Sequence, residues 1–216
     1  MAHQQAGDAQ PAITSKLRNE PVQARSTARL TRLLDAAAEV IDEIGFERLT
    51  TAMVAERAGA SIGTVYRYFP DRIAVLQSLS VRATADFIDE VTATLRDDSH
   101  SDWLQAMDAA LELLHESFTS KSGFRSLRFG DVIDLPSAEG STTNSAVVAD
   151  AVARVLKSRF SLETADLAFH VEAAMTVADS LFARAFRAAP DADARFSEAA
   201  KSVARGYLIQ ELGEPA

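Results

Sequence analysis

Within this 216-residue sequence, residues 51–69 form the pattern whose residue types and spacing best indicate a binding function. Two short helical patterns, the second over 62–69, are joined by Gly59-Ala60-Ser61, and such a pair forms a helix-turn-helix. Gly59 supplies the positive φ that the tight turn requires, and Ser61 can cap the second helix. Val54, Ala55 and Val65 are expected to face inward. The side chains expected to point outward from the second helix are Ile62, Gly63, Thr64, Tyr66, Arg67 and Tyr68.

These outward side chains are of the types that read the major groove of DNA. Arg67 can form a bidentate pair with guanine, Thr64 can contact a thymine methyl, and the small Gly63 lets the backbone approach the bases. Tyrosine and threonine hydroxyls can donate hydrogen bonds to phosphates. The pattern therefore predicts a recognition helix over residues 62–69.

Helices are predicted on both sides of this motif. Apolar residues spaced by four, three, four and three positions from Leu30 to Ile44 predict a helix that ends at Gly45. Pro70 ends the recognition helix, and Asp71 can cap a helix over 72–95. Residues 1–24 lack a helical period and are expected to form a disordered tail.

The C-terminal two thirds of the chain is also predicted to be helical. Helices are expected over 102–119, 144–160, 163–187 and 193–211, and a stretch over 121–145 is interrupted by glycines and Pro136. No segment alternates with the period of a strand. The predicted fold is all-α with eight or nine helices, divided into a helix-turn-helix domain (25–71) and a larger helical domain (72–212).

The charge of the chain is unevenly distributed. The net charge of −9 would argue against a nucleic-acid binder, but residues 1–72 hold nine basic and nine acidic residues, and the whole surplus lies in the remainder. The lack of cysteine excludes disulfides and thiolate metal sites. Because no secretory or membrane-spanning pattern is found, a cytoplasmic location is expected.

Residues 51–76, TAMVAERAGASIGTVYRYFPDRIAVL, resemble the signature of the TetR family of transcriptional repressors. The likeness extends over about residues 26–77, whereas the rest of the chain is similar only in length and helical character. The resemblance implies a homodimer, DNA recognition by residues 62–69, and a C-terminal domain in which a bound small molecule weakens DNA binding.

The resemblance also implies roles for individual side chains. Thr51, Tyr66 and Tyr68 would contact phosphates, and Thr64 and Arg67 would approach bases. Arg72 stands where many members carry lysine, and Arg25 would reach DNA from the N-terminal arm. The predicted DNA-binding set is thus Arg25, Thr51, Ser61, Ile62, Gly63, Thr64, Tyr66, Arg67, Tyr68 and Arg72.

A ligand cavity is expected between helices 102–119, 144–160 and 163–187. The side chains that could line it are Trp103, Met107, Leu111, Phe118, Phe124, Phe129, His170 and Met175. Their types favour an apolar or aromatic effector, although the same types also suit an ordinary core. Helices 163–187 and 193–211 are expected to form the dimer interface, with close approach allowed by Ala165, Ala168, Ala174 and Ala178.

Two other readings concern catalysis. Gly59-x-Ser61-x-Gly63 matches the hydrolase nucleophile elbow, but that elbow follows a strand and here a helix precedes it. Glu112 with His115, and Asp166 with His170, could serve a helical metalloenzyme.

We expect no catalytic residue, no metal site and no cofactor, and the expected partners are a near-palindromic DNA operator, a second copy and a small-molecule effector, without a membrane. An adaptor that binds protein through its helix-turn-helix is another alternative. Activation instead of repression stays open.

Overall fold

The computed structural model describes residues 11–128, 143–187 and 192–215, with side chains described from residue 24 onward, and every regular element in these ranges is helical. This confirms the all-α prediction. The helices are α1 (Pro11–Ile44), α2 (Thr51–Arg57), α3 (Ile62–Tyr68), α4 (Arg72–Leu95), α5 (Trp103–Ser120), α6 (Phe124–Leu127), α7 (Asn144–Phe160), α8 (Leu167–Ala185) and α9 (Ala194–Leu212), with a 3₁₀ turn at Phe46–Arg48.

Polar caps set the starts of the helices around the motif. The side chains of Thr50, Ser61 and Asp71 accept hydrogen bonds from the backbone N–H groups three residues further on, which open α2, α3 and α4. Each cap satisfies a donor that would otherwise have no partner in the helix. Gly59 has φ +59°, the left-handed conformation predicted for the turn.

Two predicted boundaries are wrong. Residues 11–24 belong to α1 and not to a disordered tail. Pro11 suits the first helical turn, and Ala, Gln, Lys and Leu favour the helix, whereas Pro21 in its interior lacks the N–H that the helix would use. Residues 1–10 lie outside the described residues. Helix α8 begins at Leu167 and not at 163, since Asp166 has φ +54° and cannot continue a right-handed helix backwards.

The buried side chains form two hydrophobic clusters that share α4. Its first half contributes Val75, Leu76 and Leu79 to a cluster with α1, α2 and α3. Its second half contributes Phe87 and Val91 to a larger cluster with α5, α7, α8 and α9. Helix α4 therefore connects the N-terminal helix-turn-helix unit to the C-terminal bundle as one continuous rod.

Helix α6 makes a second connection between the two clusters. Leu127 is buried in the N-terminal cluster although it follows α5 in the chain. The backbone N–H of Gly123 donates a hydrogen bond to the carboxylate of Asp42 at 2.8 Å. Gly123 has φ +78°, and a Cβ there would lie 3.3 Å from the Cβ of Ala38, so glycine fits this approach to α1 without strain.

Leu127→Ala should lower the free energy of unfolding by about 2–5 kcal/mol, because it leaves a cavity between α6 and the N-terminal cluster. Denaturant unfolding at one fixed protein concentration measures this change. The half-buried Leu113 of α5 offers a control, and its alanine variant should lose less stability. Equal losses for the two variants would contradict the docking of α6 into the N-terminal cluster.

Candidate nucleic-acid interface

Helices α2 and α3 are held by a small buried seam and by one arginine. Val54, Val65 and Phe69 are almost fully buried between the two helices and α1. The guanidinium of Arg57 donates to Glu43 at 2.7 Å and to Glu39 at 3.1 Å, so α2 is tied to α1. These two hydrogen bonds raise the pKa of Arg57 above its ordinary value. Arg57 is thereby engaged within the chain.

The outer face of α3 is exposed where the sequence predicts a recognition surface. Tyr66 is 54% exposed and Ile62 43% exposed, and Arg67 is also exposed. Thr64 is half-buried, and its hydroxyl lies 2.9 Å from that of Ser61. A Cβ at Gly63 would meet only the Ser61 hydroxyl at 4.0 Å, so the chain's own packing does not demand glycine there. Close backbone approach at Gly63 stays a prediction.

The hydroxyls predicted to contact phosphate already have partners within the chain. Thr51 donates to the Tyr66 hydroxyl at 3.4 Å, which leaves the Tyr66 proton available to an outside acceptor. The Tyr68 hydroxyl lies 3.2 Å from the Ser26 hydroxyl on α1, and Tyr68 is half-buried. Tyr68 therefore fixes α3 against α1, in addition to any contact it makes with DNA.

Arg72 and Arg25 have different surroundings in the motif. Arg72 is half-buried and donates to the backbone carbonyl of Glu47, so it anchors the 3₁₀ turn to the start of α4. Arg25 is exposed on α1 and lines a 700 Å³ groove beside Arg67 and Tyr68. The structure thus brings Arg25 to one groove with Arg67 and Tyr68, whereas Arg72 binds the 3₁₀ turn and Ser61 serves as the cap of α3.

Sequence reasoning missed Arg29 and Arg32. With Arg25 they are spaced by four and three residues, so they form one exposed row along α1. Both line the 700 Å³ groove and a second, 260 Å³ groove against Ser61 and Thr64. Among the residues whose side chains are described, none of the three arginines forms an ion pair. This spacing can be seen in the sequence. Because the three arginines have no ion-pair partner among the described side chains, the row is available to bind an anion.

The residues of the metalloenzyme alternative have local partners instead. His115 lies 3.2 Å from the Ser197 hydroxyl and 3.4 Å from Glu112, and His170 lies 2.9 Å from the Tyr207 hydroxyl. A hydrogen bond from Lys201 lowers the pKa of Glu112. Within the described ranges, no three His, Asp or Glu side chains are grouped so that they could hold a metal ion.

The side chains predicted to line a ligand cavity are mostly core. Six of the eight are at most 7% exposed within the C-terminal cluster, namely Trp103, Met107, Leu111, Phe118, Phe124 and Met175. His170 is half-buried at the side of Tyr207, and Phe129 lies outside the described residues. Phe124 also lines a 770 Å³ cleft, which lies between α1, α4 and the α5–α6 turn. The ligand contacts stay a prediction.

Of the small residues expected to allow close approach on helix 163–187, Ala174 and Ala178 lie on the side that packs within the subunit. Both are buried within their own chain, and Ala165 lies outside the helix. The large apolar side chains exposed on α8 and α9 are instead Phe169, Val177 and Val203.

Comparison with protein families gives two matches. Residues 33–79 match the family described as bacterial regulatory proteins, tetR family, and residues 101–212 match the tetracyclin repressor-like C-terminal domain. Together these two segments contain most of both clusters. No helix in the described part of the chain combines the length and apolar character needed to cross a membrane.

Solved structures share this fold over most of their length. A TetR-family transcriptional regulator from Streptomyces coelicolor has a TM-score of 0.72 and 31% identity, and the match covers 85% of this chain and 99% of that one. FadR from Bacillus subtilis, solved with stearoyl-CoA, has a TM-score of 0.58 over 85% of this chain and 98% of that one. At 14% identity the second match shows the fold alone.

Curated relatives match over a limited part of their length. An HTH-type transcriptional regulator of Mycobacterium tuberculosis is 42% identical over 60 residues, which are 28% of this chain and 32% of that protein. The HTH-type transcriptional repressor KstR of Mycolicibacterium smegmatis is 42% identical over 50 residues, 23% of this chain and 24% of that protein. The matched segments thus span a third or less of these relatives' lengths.

Arg67→Ala should weaken binding to a selected DNA site by about 1–3 kcal/mol and relax the preference at one base position, because a bidentate contact with a base is lost. Fluorescence anisotropy with the site and its single-base variants measures both effects.

Arg96→Ala is a matched control that removes the same charge. Arg96 is exposed at the far end of α4, about 36 Å from Arg72 along the helix. Its variant should keep the affinity and the preference of the wild type. An unchanged base preference in Arg67→Ala would remove Arg67 from base recognition.

Proposed function

The chain belongs to the TetR family of bacterial regulatory proteins and is a DNA-binding transcriptional regulator, and we propose that it is a repressor that a small-molecule effector releases from its operator. One observation supports DNA binding at the level of this chain. The exposed face of α3 lies beside the row of arginines on α1, which has no acidic partner among the described side chains. That surface offers cations to phosphates and Arg67 to base edges.

Repression is favoured over activation by the names of curated relatives. KstR of Mycolicibacterium smegmatis and KstR of Rhodococcus jostii, both called transcriptional repressors, are 42% and 41% identical to this chain over 50 and 54 residues. Each match covers about a quarter of this chain and about a quarter of the repressor. The sign of regulation therefore rests on relatedness and needs its own test.

A homodimer is supported by an exposed apolar face. Phe169 is 62% exposed on α8, and Val203 is 50% exposed on α9. These two helices make extensive contact with each other through their inner faces, so their outer faces are free to pack on a second copy. Two α3 helices related by a twofold axis would then reach successive major grooves, about 34 Å apart.

The effector is proposed to act through α6. Arg128, which follows Leu127, forms an ion pair with Asp179 of α8 at 2.5 Å, and both side chains are only 17% exposed. A change in the packing of α8 would thus be transmitted to α6, and Leu127 would transmit it to the N-terminal cluster. An apolar or aromatic effector in the C-terminal bundle shifts DNA affinity only by preferring one of the two arrangements.

Selection of genomic fragments at near-physiological salt tests the proposed function. We expect enrichment of one short near-palindrome, and addition of the protein should lower transcription in vitro from the promoter that carries it. No enrichment, even after unfolding and refolding to remove a bound ligand, would overturn sequence-specific DNA binding. Raised transcription would overturn repression alone.

Val203→Arg should convert the dimer to a monomer, because it places a charge in the proposed α8–α9 interface. Analytical ultracentrifugation over a range of protein concentrations measures the dissociation. Val81→Arg is the matched control, since Val81 is 63% exposed on α4 and lies on neither interface helix. A Val203→Arg protein that stays dimeric at the lowest concentration would exclude this face.

A further inference from the structure

A cleft separates the N-terminal unit from the C-terminal bundle at the place where α6 docks. Its walls come from α1, α4 and the α5–α6 turn, and its volume is 770 Å³. Sites for small molecules have volumes of about 300–1,000 Å³. The cleft is distinct from the cavity predicted between α5, α7 and α8, because its walls include the helix that leads into the DNA-binding unit.

The floor of the cleft is apolar. It is formed by Ala38 of α1, Leu79 and Ala83 of α4, and Phe124 and Leu127 of α6. These side chains come from both hydrophobic clusters, since Phe124 belongs to the C-terminal one and Leu127 to the N-terminal one. The floor can therefore cover the hydrocarbon or aromatic part of a ligand.

Most of the charges at the rim of the cleft are paired. Arg82 donates to Asp35 of α1 at 2.7 Å, and Lys121 donates to Glu90 of α4 at 2.6 Å. The charges of these two pairs cancel each other within the rim.

The other two paired rim residues have partners outside the lining. Arg128 is held by Asp179. Glu39 has Arg57 as its partner, which it must share with Glu43. Two carboxylates on one guanidinium leave a surplus of negative charge at this side of the cleft.

Asp86 adds to that surplus. Its exposed carboxylate forms no hydrogen bond or ion pair with the side chains described in 24–128, 143–187 and 192–215. Residues 1–10, 129–142 and 188–191 contain no lysine or arginine that could neutralise it. Lys16 and Arg18 precede Asp35 by at least 17 positions on the same helix, which is about 25 Å. The rim is therefore net negative above an apolar floor.

We propose that this cleft is a binding site for an amphipathic organic cation, with its apolar body on the floor at the half-buried Ala83 and its cationic group near Asp86. Such a ligand would touch α1, α4 and α6 together. It would therefore change the contact of Gly123 with Asp42, and with it the position of the helix-turn-helix unit relative to the bundle. The regulatory consequence rests on the proposed function, whereas the binding itself does not.

Isothermal titration calorimetry of the full chain without DNA tests the site, with benzyltriethylammonium as the probe. Benzyl alcohol serves as a neutral aromatic probe and benzenesulfonate as an anionic one. We expect the cation to bind at least about fivefold more tightly than either of the other two. Equal or tighter binding of the sulfonate, or no heat with any probe, would overturn the proposal.

Two variants locate the site. Asp86→Asn should weaken binding of the cation about threefold to fivefold, because an exposed charge pair contributes modestly. Asp89→Asn is the matched control, since Asp89 is also exposed on α4 but does not line the cleft, and it should bind as the wild type does. Equal affinities for the two variants would place the cation elsewhere.

Ala83→Trp provides a test that leaves the charges unchanged. The indole would fill the space above the floor, so binding of the cation should be lost while the unfolding midpoint stays close to that of the wild type. Undiminished binding in a folded Ala83→Trp protein would overturn the site.

The outcomes separate this proposal from the proposed function. A chain that selects no DNA but binds the cation through Asp86 would retain the site and lose its regulatory role. A chain that selects an operator but binds no cation would lose the site alone.

Discussion

The docking of α6 on α1 is the contact that, together with α4, joins the two hydrophobic clusters of the chain. A helix of four residues, Phe124–Leu127, places one leucine into a hydrophobic cluster that otherwise consists of residues 33–79. The approach is possible because Gly123 has no side chain and because its N–H is satisfied by Asp42. This contact therefore adds a second connection between the clusters to the one that α4 provides.

The distribution of charge explains how an acidic chain presents a surface to DNA. On α1, the acidic residues Glu39 and Glu43 bind Arg57 and so hold the motif together. Arg25, Arg29 and Arg32 of α1 and Arg67 of α3 form no ion pair with any side chain that the structure describes. The net charge of −9 is therefore a poor guide to the local field, which is positive where α3 is exposed.

Local features of the fold could be predicted from the sequence, and long-range ones could not. The caps Thr50, Ser61 and Asp71 and the positive φ of Gly59 are consequences of neighbouring residues, and the structure has all of them. The docking of Gly123 on Asp42 joins residues that are 81 positions apart, and no periodic pattern in the sequence predicts this contact. Helix α8 is apolar over much of its surface, so its pattern could not tell that Ala174 and Ala178 face their own subunit.

The candidate site could be predicted from the sequence to the same extent as the fold, since its local features follow from helical spacing and its long-range contacts do not. The outward face of α3 followed from helical spacing, and the same spacing on α1 would have identified Arg29 and Arg32. The hydrogen bond between Tyr68 and Ser26 could not be predicted from the sequence, because it depends on the angle at which α3 meets α1. That angle is set by the burial of Val65 and Phe69, which is a property of three helices together.

Linkage connects the proposed cleft to the operator. If a cation in the cleft changes the affinity of the chain for DNA by some factor, DNA must change the affinity for the cation by the same factor. The free energy of coupling cannot exceed the difference between the affinities of the cleft for the cation before and after α1 moves against α6. Since the pairs Arg82–Asp35 and Lys121–Glu90 link α4 to its two neighbours across this cleft, they oppose any change of its width. A ligand that changes the width of the cleft must disturb two partly exposed ion pairs and the packing of the buried Leu127. The packing of Leu127 contributes more free energy than the two ion pairs do.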